Sequence, residues 1–254
     1  MAINVDTVYK TVLLILNKEQ RGYMTPPEFN RIGTQVQLDI FEQYFEDLNQ
    51  QLRVPQSDVD YADRQMAIDE KISLFKTEGN CVYSSNKFNL PIIDSDGNTV
   101  LNSGVEPSSA NQVVFYKLGT LIYSPPSGFP TEIQRLQRND FYNIEKSPLT
   151  ASTKAFPTYL YESNKIIVRP TTITSDVTTS FIRKPRNIVW AFAPGSVGQY
   201  IYNSSGSTQF ELSSTEQTNV ILKILLYAGI IIRDPQIVQA AAREIQQEET
   251  NKKS

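Results

Sequence analysis

The side chains best suited to chemistry are acidic, and they occur in two places. Residues 94–98, Asp-Ser-Asp-Gly-Asn, have the oxygen-rich composition of a calcium loop. In an EF-hand loop the glycine stands later in the sequence and a bidentate glutamate occupies the final position. Residues 94–98 meet neither condition, so the segment is interpreted as a tight turn. The other group is Asp39, Glu42 and Glu46, on one face of a predicted helix. Paired carboxylates can hydrolyse glycosides across a cleft of fixed width, but this spacing is typical of a solvated helix face.

The basic side chains concentrate at residues 183–186, Arg-Lys-Pro-Arg, with Trp190 and Phe192 shortly afterwards. Cations interleaved with aromatic rings can hold single-stranded nucleic acid. One such cluster in a chain of net charge −3 is a weak signal, so we favour a strand end with exposed cations and a buried Trp190. No glycine-rich phosphate loop is present in the sequence, because residues 195–198 are not followed by the lysine and the helix signals of one.

Composition excludes several enzyme classes. The 254 residues include no histidine, which removes Ser-His-Asp and Cys-His arrangements, and the single cysteine, Cys81, cannot form an internal disulfide. Cys81 is interpreted as a small buried hydrophobe. We therefore predict no enzymatic activity, no cofactor and no metal. No membrane contact is predicted either, because the most apolar run, residues 220–232, is shorter than the roughly 20 residues of a span.

The elements that position these residues begin as helices. Apolar spacing predicts helices over residues 6–20, 26–52 and 60–76, the third closed by Gly79-Asn80. The second has a strong start signal, with Thr25 as N-cap, Pro26 in the first turn and Glu28 completing a capping box. At the other end, Ser213 and Glu216 form a second predicted capping box before a buried apolar helix.

The apolar stripe of the second helix changes direction halfway along. Its first half runs through Phe29, Ile32, Val36 and Ile40. At about 100° per residue, the second half is turned from the first by roughly a third of a circle. Gradual drift across one broad core face would explain this, and so would contact with another subunit. On the second interpretation the interface residues are Phe41, Phe45, Leu48 and Leu52.

Between the helical ends lies a β-rich region punctuated by glycine, proline and serine. Ser163-Asn164 and Leu118-Gly119 are hairpin signals. The order of elements predicts an α+β fold: a helical bundle formed by the N- and C-terminal helices, residues 1–80 and 213–254, with an inserted antiparallel β domain, sandwich-like or barrel-like, over residues 81–212. The predicted strands cover residues 87–90, 112–117, 120–124, 133–137, 158–162, 165–170, 178–184, 199–202 and 209–212.

Three stretches resemble structural proteins of short-tailed phages. Residues 21–30, Arg-Gly-Tyr-Met-Thr-Pro-Pro-Glu-Phe-Asn, and the C-terminal segments 210–212, 224–230 and 234–235 are similar to ring proteins of crAss-like and related phages. Residues 157–161, 164–170 and 183–185 are similar to the β domain of head–tail connector proteins of the tail tubular protein A or gatekeeper family. These motifs are packing and turn patterns, and they carry no catalytic signature.

The resemblance implies a virion structural protein in the tail at the portal vertex, assembled in the host cytoplasm. Members of that family form a homo-oligomeric ring, commonly twelvefold, that contacts the portal protein and neighbouring ring or tail proteins and extends the DNA channel used in DNA ejection. DNA would pass without specific binding. The acidic balance suggests that Asp39, Glu42 and Glu46, or the acidic last helix, line that channel and repel phosphate.

Other interpretations stay open at this stage. The chain could be another tail component, such as a hub or tube protein. The tyrosines of the β-rich region, part of 13 in the chain, would suit a carbohydrate-binding β module or a glycosidase. Single-strand nucleic-acid binding through residues 183–186 is the remaining alternative.

Overall fold

The computed structural model describes residues 2–18, 23–51, 59–196, 198–232, 239 and 241–247. The chain divides into two compact units, the first made of Met1–Leu74 and Pro185–Ser254, the second of Phe75–Lys184. Residues 185–212, assigned above to the β-rich region, cluster with the first unit. The helices are α1 (Val5–Lys18), α2 (Pro26–Gln51), α3 (Val59–Ser73), α4 (Arg138–Ile144) and α5 (Gln217–Ile232), and residues 241–247 are also helical.

The strands lie mostly in the second unit, where nine of them pair into one sheet. The two others, β10 and β11, pair only with each other, in the first unit. In chain order the strands are β1 (Lys76–Asn80), β2 (Val82–Ser84), β3 (Lys87–Asn89), β4 (Thr99–Leu101), β5 (Gln112–Tyr123), β6 (Thr131–Arg135), β7 (Thr158–Glu162), β8 (Lys165–Arg169), β9 (Val177–Arg183), β10 (Phe192–Pro194) and β11 (Tyr200–Tyr202).

The predicted fold class is wrong. The protein is mainly β, with only about 36% helix, and is not a helical bundle carrying an inserted β domain. Its main sheet is also not purely antiparallel, because β4 pairs with β5 and β6 with β7 in parallel. Long amphipathic helices have a clearer hydrophobic pattern than strands of three to five residues. The sequence-based prediction therefore overestimated the helical part of the fold.

The large sheet almost closes into a barrel. Its path of eight strands runs β1-β9-β5-β6-β7-β8-β3-β2, with β4 attached to β5. The first and last strands of that path, β1 and β2, are consecutive in the chain and separated by Cys81 alone, so the two ends of the path meet. The Cys81 N–H donates to the carbonyl oxygen of Val177 at 2.9 Å, which continues the pairing past the end of β1. Closure removes exposed strand edges.

A cluster of buried apolar side chains forms the core of the main sheet in the second unit. Phe88, Leu121, Ile133, Ile166 and Phe181 are each no more than 1% exposed within it. Alternation along the strands brings them to one face of the sheet, as in β1, where exposed and buried residues alternate.

In the first unit, α2 holds an extended segment by its polar side chains. Asn30 Oδ1 accepts the Trp190 N–H at 2.7 Å, and Thr34 Oγ1 accepts the Ile188 N–H at 3.0 Å. Gln37 is 1% exposed and bonds backbone groups of two extended segments. Spacings of four and three residues place the three side chains on one helix face. That face therefore binds extended backbone, which a bundle of helices would not require.

Two local predictions are confirmed. Glu28 Oε2 accepts the backbone N–H of Thr25 at 2.8 Å, and α2 begins at Pro26 as the capping box required. Ser163 and Asn164 have φ of 51° and 60° in the β7–β8 turn, the left-handed values of a two-residue hairpin.

Other local predictions are wrong. The signal at Leu118-Gly119 makes no hairpin, because β5 runs through it with a register irregularity against β9. The third helix, predicted over residues 60–76 with Gly79-Asn80 as its cap, ends at Ser73, and Gly79-Asn80 lie in β1 instead. The Ser213–Glu216 capping box is absent as well: Ser213 makes no side-chain cap, and Glu216 turns inward to Lys71.

Candidate functional site

The strongest candidate site is an open pocket on the second unit, here named the β1 pocket. It is lined by the end of β1, the start of β9 and residues 92–95, and it encloses about 490 Å³. Three apolar side chains in its lining, Val82, Ile92 and Ile93, are 41%, 55% and 57% exposed. Exposed apolar side chains gathered around a concavity mark binding surfaces.

Close backbone packing builds one wall of this pocket. A Cβ at Gly79 would come within 2.6 Å of Pro91 Cβ and 2.8 Å of the Ile93 carbonyl oxygen, so only glycine lets the two segments lie this close. The Ser95 N–H donates to the Glu78 carbonyl oxygen at 2.7 Å. These contacts hold residues 91–95 against β1.

The acidic segment that resembled a calcium loop is the turn that closes this wall. Asp94 is 6% exposed, and its Oδ1 accepts the N–H groups of Asp96 and Asn98 at 3.1 and 2.7 Å. The turn interpretation is therefore confirmed. Among the described residues, no group of three or more acidic or cysteine side chains could hold a metal ion.

The charge and reactivity of the β1 pocket favour binding over catalysis. Glu78 is exposed at its edge, and the lining includes no cationic side chain. The neighbouring Cys81 is half-buried, and desolvation raises the pKa of its thiol to about 12, which leaves little of the nucleophilic thiolate near neutral pH. The pocket therefore suits an apolar group that carries a positive charge beside it.

The predicted channel-lining carboxylates differ in their surroundings. Glu42 and Glu46 are exposed on α2. Asp39 is half-buried, and its Oδ2 accepts the Tyr227 hydroxyl of α5 at 2.7 Å. That hydrogen bond raises the pKa of Tyr227. Asp39 therefore joins two helices, while Glu42 and Glu46 face solvent.

The predicted interface residues are also unevenly exposed. Phe41 is 1% exposed and meets Phe45 edge-to-face, with ring centroids 5.0 Å apart. Phe45 and Leu48 are half-buried. Leu52 lies outside the described residues. An intersubunit role for this surface stays a prediction, in which Phe41 would support Phe45 from within the unit.

The basic cluster at residues 183–186 is engaged in local structure. The Arg183 guanidinium lies 5.8 Å from the centre of the Phe75 ring, and Arg186 Nε lies 3.7 Å from Glu211 Oε1. These cations are half-buried and not exposed as predicted. Trp190 is 3% exposed, which confirms its predicted burial, and its Nε1 donates to Asp6 Oδ1 at 3.1 Å.

Sequence reasoning missed the most exposed apolar side chains of the second unit. Phe129, Leu149 and Phe156 are 90%, 94% and 79% exposed. Each lies in a segment rich in proline, serine or threonine. That composition is the sequence signal that could have placed these apolar residues in loops and not in strands. Exposed apolar residues that stand singly are ordinary, and these three lie in two loops, Phe129 before β6 and Leu149 and Phe156 before β7.

Comparison with models of known protein families finds no match, and no characterised protein matches the sequence closely enough to count as a relative. Within the described residues, no helix combines the length and apolar character that crossing a bilayer requires. The site must therefore be interpreted from its own chemistry.

Proposed function

We propose that this protein is a virion structural protein that forms a ring in the head–tail connector of a short-tailed phage and extends the DNA channel below the portal. The observation that carries the proposal is the pair of different apolar surfaces on the second unit. One is the concave β1 pocket, and the other is the protruding Phe156 side chain of the loop before β7. A ring closes through head-to-tail contacts, so each copy needs two different, complementary surfaces.

The place in the virion rests on the sequence resemblance described above. The electrostatics of α2 are compatible with it, because Glu42 and Glu46 present uncompensated charge to solvent and would repel the phosphates of passing DNA. The β1 pocket offers no acid–base pair or reactive thiol, which fits action through shape and assembly.

Native mass spectrometry and negative-stain microscopy of the purified protein, alone and with the portal protein, test the proposal. We expect ring-shaped oligomers, or rings that form when the portal is added. A strict monomer with no affinity for the portal would contradict the proposed function.

A carbohydrate-binding module is the second candidate, and a specific aromatic cluster favours it. Trp190 stacks on Tyr202 at 5.7 Å, and Phe192 meets Tyr200 at 4.6 Å. Phe192 and Tyr200 are 39% and 46% exposed, so part of this cluster can face a sugar ring. A glycan array separates the candidates: binding that is lost in Tyr200→Ala would favour the module, whereas a blank array would exclude it.

A further inference from the structure

The turn at residues 153–156, here named the Phe156 turn, is shaped to enter a pocket. The Phe156 N–H donates to the Thr153 carbonyl oxygen at 3.1 Å, and the Thr153 N–H donates to the Phe156 carbonyl oxygen at 3.3 Å. The Ser152 and Thr158 hydroxyls, 2.7 Å apart, fasten its base. A turn held in this way loses little conformational entropy when it docks. It presents Phe156 with 79% of the residue exposed.

The Phe156 turn also carries a positive charge. Lys154 is exposed two residues before Phe156. The β1 pocket has the opposite pattern, with an exposed carboxylate on Glu78 beside apolar Ile92 and Ile93. The β1 pocket is also large enough for the Phe156 side chain, because its volume of about 490 Å³ exceeds that of a phenyl ring. Apolar shape and charge are thus complementary between two places on the same unit.

We propose that the Phe156 turn of one copy docks into the β1 pocket of a second copy of this chain. Phe156 would lie against Val82, Ile92 and Ile93, with the Lys154 ammonium beside the Glu78 carboxylate. The contact is not made within one copy, because both partners are exposed there. It joins two different surfaces, so successive copies add head to tail. This inference rests on the proposed function and names the contact that would build the ring.

Sedimentation equilibrium measures the association directly. We expect Phe156→Ala to weaken self-association at least about tenfold, as truncation of a central aromatic anchor does. The matched control is Phe129→Ala, because Phe129 is a 90% exposed phenylalanine in the same unit without a lysine beside it. Equal association constants for the two variants, or a wild-type protein that stays monomeric at all concentrations both alone and with the portal protein, would overturn the docking.

A charge exchange tests the polar half of the contact. Lys154→Glu and Glu78→Lys should each weaken association several-fold, more strongly at low salt. Combined in one chain, the two changes restore opposite charges and should recover most of the loss. A double variant no better than the single variants would overturn the pairing. Thermal unfolding midpoints, expected to stay near the wild-type value for these exposed positions, exclude misfolding as the cause.

The experiments distinguish an error in the proposed Phe156 docking from an error in the proposed connector function. Closed rings that persist in Phe156→Ala would overturn the docking and leave the ring function standing. Association that depends on Phe156, but produces neither closed rings nor portal binding, would support the docking and contradict the connector function.

Discussion

The side-chain amide of Gln37 donates to the carbonyl oxygen of Arg186 at 2.7 Å. Gln37 Oε1 also accepts the N–H of Glu211 at 2.8 Å. One buried side chain of α2 therefore satisfies backbone groups of two extended segments that lie 25 positions apart in the chain. Since buried backbone groups need partners, this glutamine replaces the strand that would otherwise pair with them.

Gln37→Leu should destabilise the first unit by about 2–4 kcal/mol, because it removes the hydrogen bonds that the buried Gln37 side chain makes to two part-buried backbone groups. Chemical denaturation followed by circular dichroism measures the loss. Gln35→Leu is the control, since Gln35 is exposed on the same helix and should change the free energy of unfolding by less than about 0.5 kcal/mol. Equal effects of the two changes would contradict the buried role of Gln37.

The Lys71–Glu216 ion pair should be far more sensitive to loss of one partner than a surface pair. Glu216 is 4% exposed, and Lys71 Nζ lies 2.7 Å from its Oε1. Lys71→Met leaves a buried carboxylate uncompensated and should cost about 3–5 kcal/mol, whereas Lys71→Met combined with Glu216→Leu should recover most of this. Arg138→Met breaks the more exposed Arg138–Glu162 pair, in which the side chains are 66% and 39% exposed, and should cost less than about 1 kcal/mol. Urea unfolding midpoints compare the variants, and a mild effect of Lys71→Met would contradict this account.

The capping box should make stability depend on pH in the acid range. Hydrogen bonds from Thr25 lower the pKa of Glu28 in the folded protein. A lowered pKa adds stability above the unfolded value of about 4.3, and this contribution disappears as the pH falls through the folded pKa. Glu28→Gln removes it, so the wild-type advantage in melting temperature should be present at pH 7 and shrink towards pH 3. A difference that is constant across this range would contradict the prediction.

Cys81 should react slowly with thiol reagents in the folded protein. Burial raises its pKa to about 12, so the thiolate that attacks such reagents is scarce near pH 8. We expect fast labelling in denaturant and slow labelling in buffer. Phe156→Cys supplies the comparison, because a cysteine at that exposed position should label quickly in the folded protein. Rapid labelling of native wild-type protein would contradict the raised pKa of Cys81, a half-buried residue.

Reversing the exposed charges of α2 should slow DNA ejection if this helix lines the channel. In reconstituted particles, Glu42→Lys with Glu46→Lys should retain DNA electrostatically and slow release at least about tenfold, less so at high salt. Dye fluorescence of released DNA follows the rate. Glu132→Lys with Asp140→Lys is the matched control, since it reverses two exposed charges on the second unit. An unchanged rate would place Glu42 and Glu46 away from the channel.

Much of the local structure was predictable, and the parts that failed have a common cause. The start of α2, the Ser163-Asn164 hairpin and the turn closed by Asp94 each depend on residues within five positions of one another. The fold class was wrong because it depends on which strands meet across the chain. The candidate site was missed for the same reason, since Glu78, Ile93 and Thr178 gather only when β1 pairs with β9.

The sequence by itself determined the composition that removes histidine chemistry, the start of α2, the Ser163-Asn164 turn, the turn closed by Asp94 and the burial of Trp190. Tertiary structure alone decided that the sheet ends meet at Cys81, that the polar face of α2 binds extended backbone, and that Phe156 protrudes while Phe181 is buried. The physical reason is the sequence separation of the residues that interact. Capping and turn geometry are local backbone effects, whereas strand pairing and exposure depend on residues that are distant in sequence.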